Sequence, residues 1–169
     1  MLTFSTKKEF DTAGKYWNGR YEKYLCHVIN KIRELSNSFD IKKVLEIGCN
    51  VLQLVKESDT VDKNGTPDFK FDIGRQVWPF KDKEYDLAVS CQCWEHLEGN
   101  QQVAFMELMR TCKMAILTVP YMWPHGNDIH KGITKDKINL WYCNTKPNST
   151  KILGDNSKRL MSVFVFDRG

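Results

Sequence analysis

The chain has 169 residues, of which 41% are apolar and 27% charged, the proportions of an ordinary soluble globular protein. Its formal net charge is only +4, and Lys and Arg are scattered without a run of five or six, so the sequence gives no strong nucleic-acid signal. No apolar stretch approaches the roughly 18 residues of a transmembrane helix, and residues 1–21 lack the apolar segment of a secretory signal. These totals predict one domain over residues 1–169, located in the cytoplasm and without a membrane partner.

The first half of the chain is predicted to contain one long helix followed by short strands. Apolar residues recur at helical spacing between Tyr21 and Leu35, which predicts a helix over residues 16–35. Residues 50–57 leave room for at most two helical turns. The predicted strands of this half lie at 44–47, 59–65, 67–74 and 85–92.

The second half is predicted to continue the alternation and to end in a hairpin. A helix is expected over 98–113 and a strand over 114–120, followed by a loop at 121–133. Thr134 is expected to cap a short helix that runs to Tyr142. Two strands around Asp155-Asn156 predict a terminal hairpin that adds one antiparallel edge strand. The alternation predicts an α/β fold with a mostly parallel sheet and helices on both faces.

Acidic residues stand where several predicted strands end, which is where ligands bind in such sheets. The first strand ends in Glu46-Ile47-Gly48, and Asp62 and Asp72 end the second and third. Carboxylates accept hydrogen bonds from ribose hydroxyls but repel a pyrophosphate. The single glycine in "LEIGCN" also departs from the G-x-G-x-x-G loop that binds a dinucleotide phosphate. The pattern therefore favours a ligand with hydroxyls and amines to donate and disfavours a dinucleotide phosphate.

Several segments resemble the class I (Rossmann-like) S-adenosylmethionine (SAM)-dependent methyltransferases. "VLEIGC" is similar to their first motif, and "WPFKDKEYDLAVSCQCWEHLEG" closely resembles their fourth-strand block. "YWNGRY" resembles an N-terminal element that covers the cofactor, and "DIHKGIT" is similar to the segment after their fifth strand. The resemblance spans nearly the whole chain and implies a minimal methyltransferase domain with a shortened first motif.

The resemblance implies SAM as the cofactor and assigns site residues. His130 is the expected base or substrate-positioning residue and is preferred to His125, while His96 is expected to be structural. The acceptor is expected to be a small molecule, a sugar or another exposed glycan-type group. The expected cofactor-binding residues are Glu46, Gly48, Asn50, Asp62, Asp72, Gln92, Tyr16 and Tyr21.

Metal chemistry is not expected from the sequence. A zinc site requires paired Cys and His spacings, and the six cysteines form no C-x-x-C pair. Reduced, mostly buried thiols are the better interpretation. The cysteines are Cys26, Cys49, Cys91, Cys93, Cys112 and Cys143.

Simpler interpretations remain open for individual residues. Gly48 could serve only a tight turn, and Asp62 and Asp72 could be turn acids. The aromatic residues Tyr16, Trp17 and Tyr21 could belong to the apolar face of a helix instead of covering a cofactor. Trp78 and Trp94 could stack on adenine, although a tryptophan beside a sheet is more often part of the core.

Two other functions compete with methyl transfer. One is a non-catalytic SAM-binding or interaction protein that retains the fold, which the degenerate glycine loop would favour. The other is a nicotinamide-dependent oxidoreductase, which the single glycine and the preceding acid disfavour.

Overall fold

The structure, a computed structural model, describes residues 2–49 and 52–167, and its centre is one seven-stranded sheet. The spatial order of the strands is β3-β2-β1-β4-β5-β7-β6. Their bounds are β1 Val44–Ile47, β2 Asp59–Asp62, β3 Phe69–Lys70, β4 Tyr85–Cys91, β5 Cys112–Pro120, β6 Ser149–Leu153 and β7 Arg159–Val165.

Helices flank the sheet and come before β1, between β4 and β5, and between β5 and β6. A π-helical turn at Tyr21–Leu25 continues directly into α2, and Trp94–His96 forms a 3₁₀ turn after β4. The expected cap of α4 is confirmed, because Thr134 Oγ1 accepts a hydrogen bond from the backbone N–H of Lys137 at 3.3 Å. The α-helices are α1 Lys7–Thr12, α2 Cys26–Ser36, α3 Gln101–Thr111 and α4 Lys135–Trp141.

The predicted fold class is confirmed, with one correction at the hairpin. Strands β1 to β5 are parallel to one another, and β7 runs antiparallel to both β5 and β6. The antiparallel strand is therefore not at the edge, as the sequence predicted, but lies between β5 and β6. The reason is burial: β7 is buried along nearly its whole length, whereas four of the five residues of β6 are exposed.

Both faces of the sheet are covered by packed side chains, as the α/β prediction requires. Alternate residues of β5 enter different clusters: Met114 and Ile116 pack with the side of α1 and α2, and Ala115 and Leu117 with the side of α3 and α4. This period of two follows from the pleat of a strand. The sheet is therefore held rigidly on both faces, which fixes the positions of its strand ends.

The connection between β1 and β2 contains no helix in its described residues, 48–49 and 52–58. The N-terminal segment holds it as a loop instead, because Ser5 and Lys56 donate backbone hydrogen bonds to Leu54 and Thr3. The short helix α1 that follows this segment was not predicted, although Thr6 and Glu9 form the capping box that "TKKE" encodes.

Other boundaries differ from the prediction for local reasons. The helix expected from residue 98 begins at Gln101, because Glu98 and Gly99 have positive φ angles that a helix does not allow. The strand expected at 67–74 pairs only at Phe69–Lys70. Within the part of the chain that the structure describes, no helix is both long and apolar enough to cross a bilayer.

Candidate functional site

A cleft of about 560 Å³ opens at the carboxyl ends of β1, β2 and β4. Its size lies within the usual range for small-molecule sites, about 300–1,000 Å³. Apolar walls come from Val61, Phe71, Ile73 and Leu97, and several carboxylates face the same space. The arrangement suits a ligand with a flat apolar part and several hydrogen-bond donors.

Gly48 lies at the end of β1 and lines this cleft. Its φ is +71°, and a Cβ atom at this position would come within 2.7 Å of the Cys93 sulfur. Its backbone N–H donates to the carbonyl of Val61 at 2.8 Å. The protein therefore requires glycine here for its own packing, and the same absent side chain leaves the backbone open to a ligand.

Asp62 and Asp72 both line the cleft, and both also organise turns. One carboxylate oxygen of Asp62 accepts from the Asn64 N–H at 2.9 Å, and one of Asp72 accepts from the Gly74 N–H at 3.0 Å. The turn interpretation is thus observed for both residues. Since each carboxylate has a second oxygen, the turn hydrogen bond does not preclude a contact between the same side chain and a ligand.

Gln92 lines the cleft immediately after β4, with a φ of +58°. Its side-chain amide donates to the Thr118 hydroxyl at 3.4 Å, which ties it to the neighbouring strand β5. Asn50, the remaining polar residue predicted near the first motif, lies outside the described residues.

Glu46 does not line this cleft but faces a small hollow beside Gly48, on the side of Phe10 and Trp17. Its two oxygens accept hydrogen bonds from the backbone N–H groups of Leu54 and Val55 and from the Ser58 hydroxyl. Burial raises its pKa to about 7, and these three donors oppose that rise. In this arrangement Glu46 anchors the loop that connects β1 to β2.

The N-terminal aromatic residues divide between the two interpretations left open by the sequence. Tyr16 is 54% exposed and lines the cleft, with the Arg20 guanidinium over its ring. Trp17 is buried, and Tyr21 packs against Phe10 with ring centroids 5.9 Å apart. The structure thus brings Tyr16 to the cleft and leaves Tyr21 outside it, while Tyr21 keeps a structural contact.

Three potential ligating side chains meet at one rim of the cleft. Glu95 Oε1 lies 3.9 Å from His96 Nε2 and 3.8 Å from His130 Nε2. Glu95 and His96 belong to the 3₁₀ turn after β4, and His130 comes from the loop after the adjacent strand β5. Burial raises the pKa of Glu95 to about 8 and lowers the pKa of both histidines.

His130 is oriented by two neighbours on its own loop. Its Nδ1 lies within hydrogen-bond distance of the Asn127 side-chain oxygen, and its ring stacks on Trp123 at 5.6 Å between centroids. An N–H at Nδ1 would donate to that oxygen and leave Nε2 as the lone-pair nitrogen facing Glu95. His130 itself does not line the cleft, but its neighbour Ile129 does, whereas His125 is exposed on the same loop.

The two tryptophans considered for adenine stacking are core residues. Trp78 and Trp94 are each 1% exposed, and both belong to the cluster on the side of α3. Neither ring is available to a ligand.

Sequence reasoning missed Glu95 and His96 as members of the site. The signal was present, because both lie in the "CWEHLEG" segment that supported the family resemblance. Their proximity to His130 could not be read from spacing, since more than thirty residues separate them along the chain.

Solved structures of methyltransferases share this fold. A SAM-dependent methyltransferase from Clostridium acetobutylicum aligns with a TM-score of 0.64 at 11% identity, over 95% of this chain and 96% of that chain. The methyltransferase domain of bacterial CtHen1 aligns with a TM-score of 0.59 at 18% identity, over 85% and 98%. The N-terminal domain of EvdMO1, solved with S-adenosylhomocysteine (SAH) bound, aligns with a TM-score of 0.54 at 9% identity, over 80% and 79%.

Sequence comparison adds nothing to this likeness, because no family model matches the chain and no curated protein is significantly similar to it. The structural likeness establishes the fold: this chain has the Rossmann-like fold of the class I SAM-dependent methyltransferases. The fold class implied by the sequence resemblance is thereby confirmed.

Proposed function

We propose that the protein is a SAM-dependent methyltransferase whose acceptor is a small molecule or an exposed glycan-type group. The observation that carries the proposal is the cleft at the strand ends, where Asp62 and Asp72 share one space with apolar walls and the open backbone at Gly48. Such a cleft at the carboxyl ends of parallel strands is the usual ligand site of an α/β sheet. The bound SAH in EvdMO1 supports the same choice of cofactor.

The donor and acceptor chemistry of the cleft fits SAM. Among the described residues, four with carboxyl groups line it: Asp62, Asp72, Glu95 and Glu98. Lys63 is the one lysine among the described lining residues, so acidic groups outnumber it. SAM offers ribose hydroxyls, an adenine amine, an ammonium and a sulfonium, so its polar groups donate or are positively charged. A dinucleotide pyrophosphate would instead meet this negative field, which disfavours the nicotinamide alternative.

The residues of this chain would act mainly by binding and orienting. SAM supplies a transferable methyl group on a sulfonium. Asp62 would accept from the ribose and Asp72 from the adenine amine, while Gly48 lets the backbone approach the methionine end. Tyr16 and Ile129 also line the cleft and would contact the acceptor. Holding the acceptor in line is the largest contribution expected from such a site.

His130 would act on the acceptor. Burial and the nearby charges of His96, Arg20 and Arg159 lower its pKa, which favours the neutral imidazole. With the proton on Nδ1 toward Asn127, Nε2 would carry the free lone pair. It could therefore take the acceptor's proton or position the acceptor, the two roles that the sequence predicted. The chain has little beyond the core fold with which to recognise a large substrate, which favours a small acceptor or an exposed sugar.

Calorimetry with SAM and SAH on the purified, folded chain tests the proposal, with NAD as a comparison ligand. We expect both adenosyl ligands to bind and NAD not to bind. Asp62→Ala should weaken SAM binding by about ten- to a hundredfold, because a charge-assisted hydrogen bond contributes about 1.5–3 kcal/mol. Asp155→Ala, which changes an exposed acid in the turn between β6 and β7, is the matched control and should bind normally.

The results separate the alternatives. A folded chain that binds neither SAM nor SAH would refute the proposal and favour an interaction protein with this fold. If Asp62→Ala bound as tightly as the wild type, Asp62 would have only its turn role.

A further inference from the structure

We propose that Glu95, His96 and His130 bind one divalent transition-metal ion at the rim of the cleft. This site goes beyond the proposed methyl transfer and does not depend on it. It departs from the expectation drawn from the sequence, in which no metal takes part.

The geometry of the three side chains is close to that of a metal site. One ligand atom from each residue lies within 4.8 Å of the other two. In a tetrahedral zinc site with bonds of about 2.0–2.1 Å, neighbouring ligand atoms are about 3.4 Å apart. Side-chain rotation can close this difference, because the His96 side chain is 45% exposed and His130 lies on a loop whose residues 124–129 are exposed.

Glu95 is the strongest reason to place a cation here. Its side chain is fully buried, and neither carboxylate oxygen accepts a hydrogen bond from another residue among 2–49 and 52–167, so that only the backbone N–H of Glu95 itself acts on the group as a donor. A buried carboxyl group without partners is unfavourable, most of all when it is ionised. The charges of Arg20 and Arg159 act on Glu95, but neither forms an ion pair with it within the described chain. A cation between the carboxylate and the two imidazoles would supply the missing partner.

His130 already has the surroundings of a metal ligand. Metal-binding histidines usually donate their other ring N–H to an oxygen, which fixes the tautomer and the ring orientation. Asn127 offers that oxygen to Nδ1, and stacking on Trp123 restricts the ring. Both contacts leave Nε2 directed at Glu95.

The ligand set indicates the class of metal. Two imidazoles and one carboxylate suit zinc, manganese, iron, cobalt or nickel, whereas magnesium and calcium prefer oxygen ligands alone. Three protein ligands leave at least one coordination position open. Because Glu95 and His96 line the cleft, that position would face an acceptor oxygen or a water. His130 Nε2 could not then act as a base, so its role would be to position the acceptor through the metal.

Cobalt(II) titration of the metal-stripped full chain tests the site without cofactor, acceptor or turnover. We expect saturable visible d–d absorption at one ion per chain, without the near-ultraviolet band of a cobalt–thiolate bond. Zinc should displace the cobalt, and excess magnesium should not. Glu95→Gln and His130→Ala should each weaken binding by at least about a hundredfold, the upper range for losing an outer-shell partner alone.

The chain supplies its own controls, because two of its four histidines lie outside the cluster. His125→Ala changes the same loop, His27→Ala changes α2, and both should bind cobalt as the wild type does. The inference is overturned if folded wild-type chain binds no cobalt, if Glu95→Gln binds as tightly as the wild type, or if a thiolate band accompanies binding. Because SAM is absent throughout, a failure here leaves the proposed methyltransferase function untouched.

Discussion

Glu46 and Glu95 are two glutamates of nearly equal burial, 5% and 6% exposed, near the carboxyl ends of the neighbouring strands β1 and β4. Glu46 accepts hydrogen bonds from three donors of the loop that follows β1. Glu95 accepts no hydrogen bond from any other described residue. Burial raises the pKa of both, to about 7 for Glu46 and about 8 for Glu95.

The difference teaches how to separate a structural carboxyl group from a functional one. A buried carboxyl group surrounded by donors stabilises the local backbone, so its burial is explained by the fold. A buried carboxyl group without donors lowers stability unless something else binds to it. On this criterion Glu46, which the family resemblance assigned to the cofactor, holds the β1–β2 loop, and Glu95 is the group that lacks a partner.

The largest expected effect comes from removing each carboxyl group in turn. At pH 6, Glu46→Ala should lower the free energy of unfolding by about 4 kcal/mol, because two buried backbone N–H groups lose their acceptor at about 1–3 kcal/mol each. Glu95→Gln should stay within about 1 kcal/mol of the wild type in metal-free solution, since no donor loses an acceptor. Urea denaturation measures the free energy of unfolding of both variants. Equal losses of stability would contradict the distinction between a hydrogen-bonded Glu46 and an unpartnered Glu95.

The second expected effect is a pH dependence of stability that belongs to Glu46. Its pKa rises from an ordinary value of 4.5 to about 7 on folding. Between these pH values the folded chain keeps a proton that the unfolded chain releases, so the free energy of unfolding falls as the pH rises. Across the window this loss amounts to about 3 kcal/mol.

Urea denaturation from pH 4.5 to 8, compared between the wild type and Glu46→Gln, isolates this contribution because other titrating groups are common to both chains. The variant should show a flatter profile. Parallel profiles would show that Glu46 is ionised in the folded chain throughout, held so by its donors.

The smallest expected effect concerns one donor of Glu46. The Ser58 hydroxyl lies 3.0 Å from Glu46 Oε1 and 2.7 Å from the Val55 carbonyl, so its single proton is shared between them. Ser58→Ala should cost about 1 kcal/mol of stability, the usual value for one hydrogen bond. It should also raise the pKa of Glu46 further. Ser157→Ala, in the exposed turn before β7, provides the control in the same denaturation assay. If both variants lost the same free energy of unfolding, the hydrogen bond from Ser58 to Glu46 would not contribute to stability.

Much of the fold could be predicted because it depends on local patterns. The apolar run at 44–47 gave β1 with its observed bounds, and the spacing of apolar residues gave α3 and the end of α2 within three residues. The helix predicted from residue 16 begins later, as the π-helical turn Tyr21–Leu25 that continues into α2. The position of β7 inside the sheet was also encoded, since "RLMSVFV" is apolar on both faces and "STKIL" is polar. The difference in polarity between these two segments distinguishes a central strand from an edge strand. The presence of a hairpin alone does not show which of its strands lies at the edge.

The candidate site was only partly predictable. Gly48, Asp62, Asp72 and Gln92 could be placed near one another because parallel strands end at one edge of a sheet. The directions of side chains at that edge could not be predicted. Glu46 turns to the loop at 52–58, and Tyr21 packs on Phe10 instead of reaching the cleft.

The sequence by itself determined the sheet, its parallel direction and the acids at its ends, because strand burial, helix period and turn residues act over a few neighbouring positions. Tertiary structure alone decided which carboxyl group found donors. Glu46 contacts the backbone of a loop held by the N-terminal segment, whereas Glu95 lies close to His96 and to His130 on the loop after β5. Such meetings depend on how the adjacent strands β4 and β5 bring distant loops together, and no local pattern of residues contains that information.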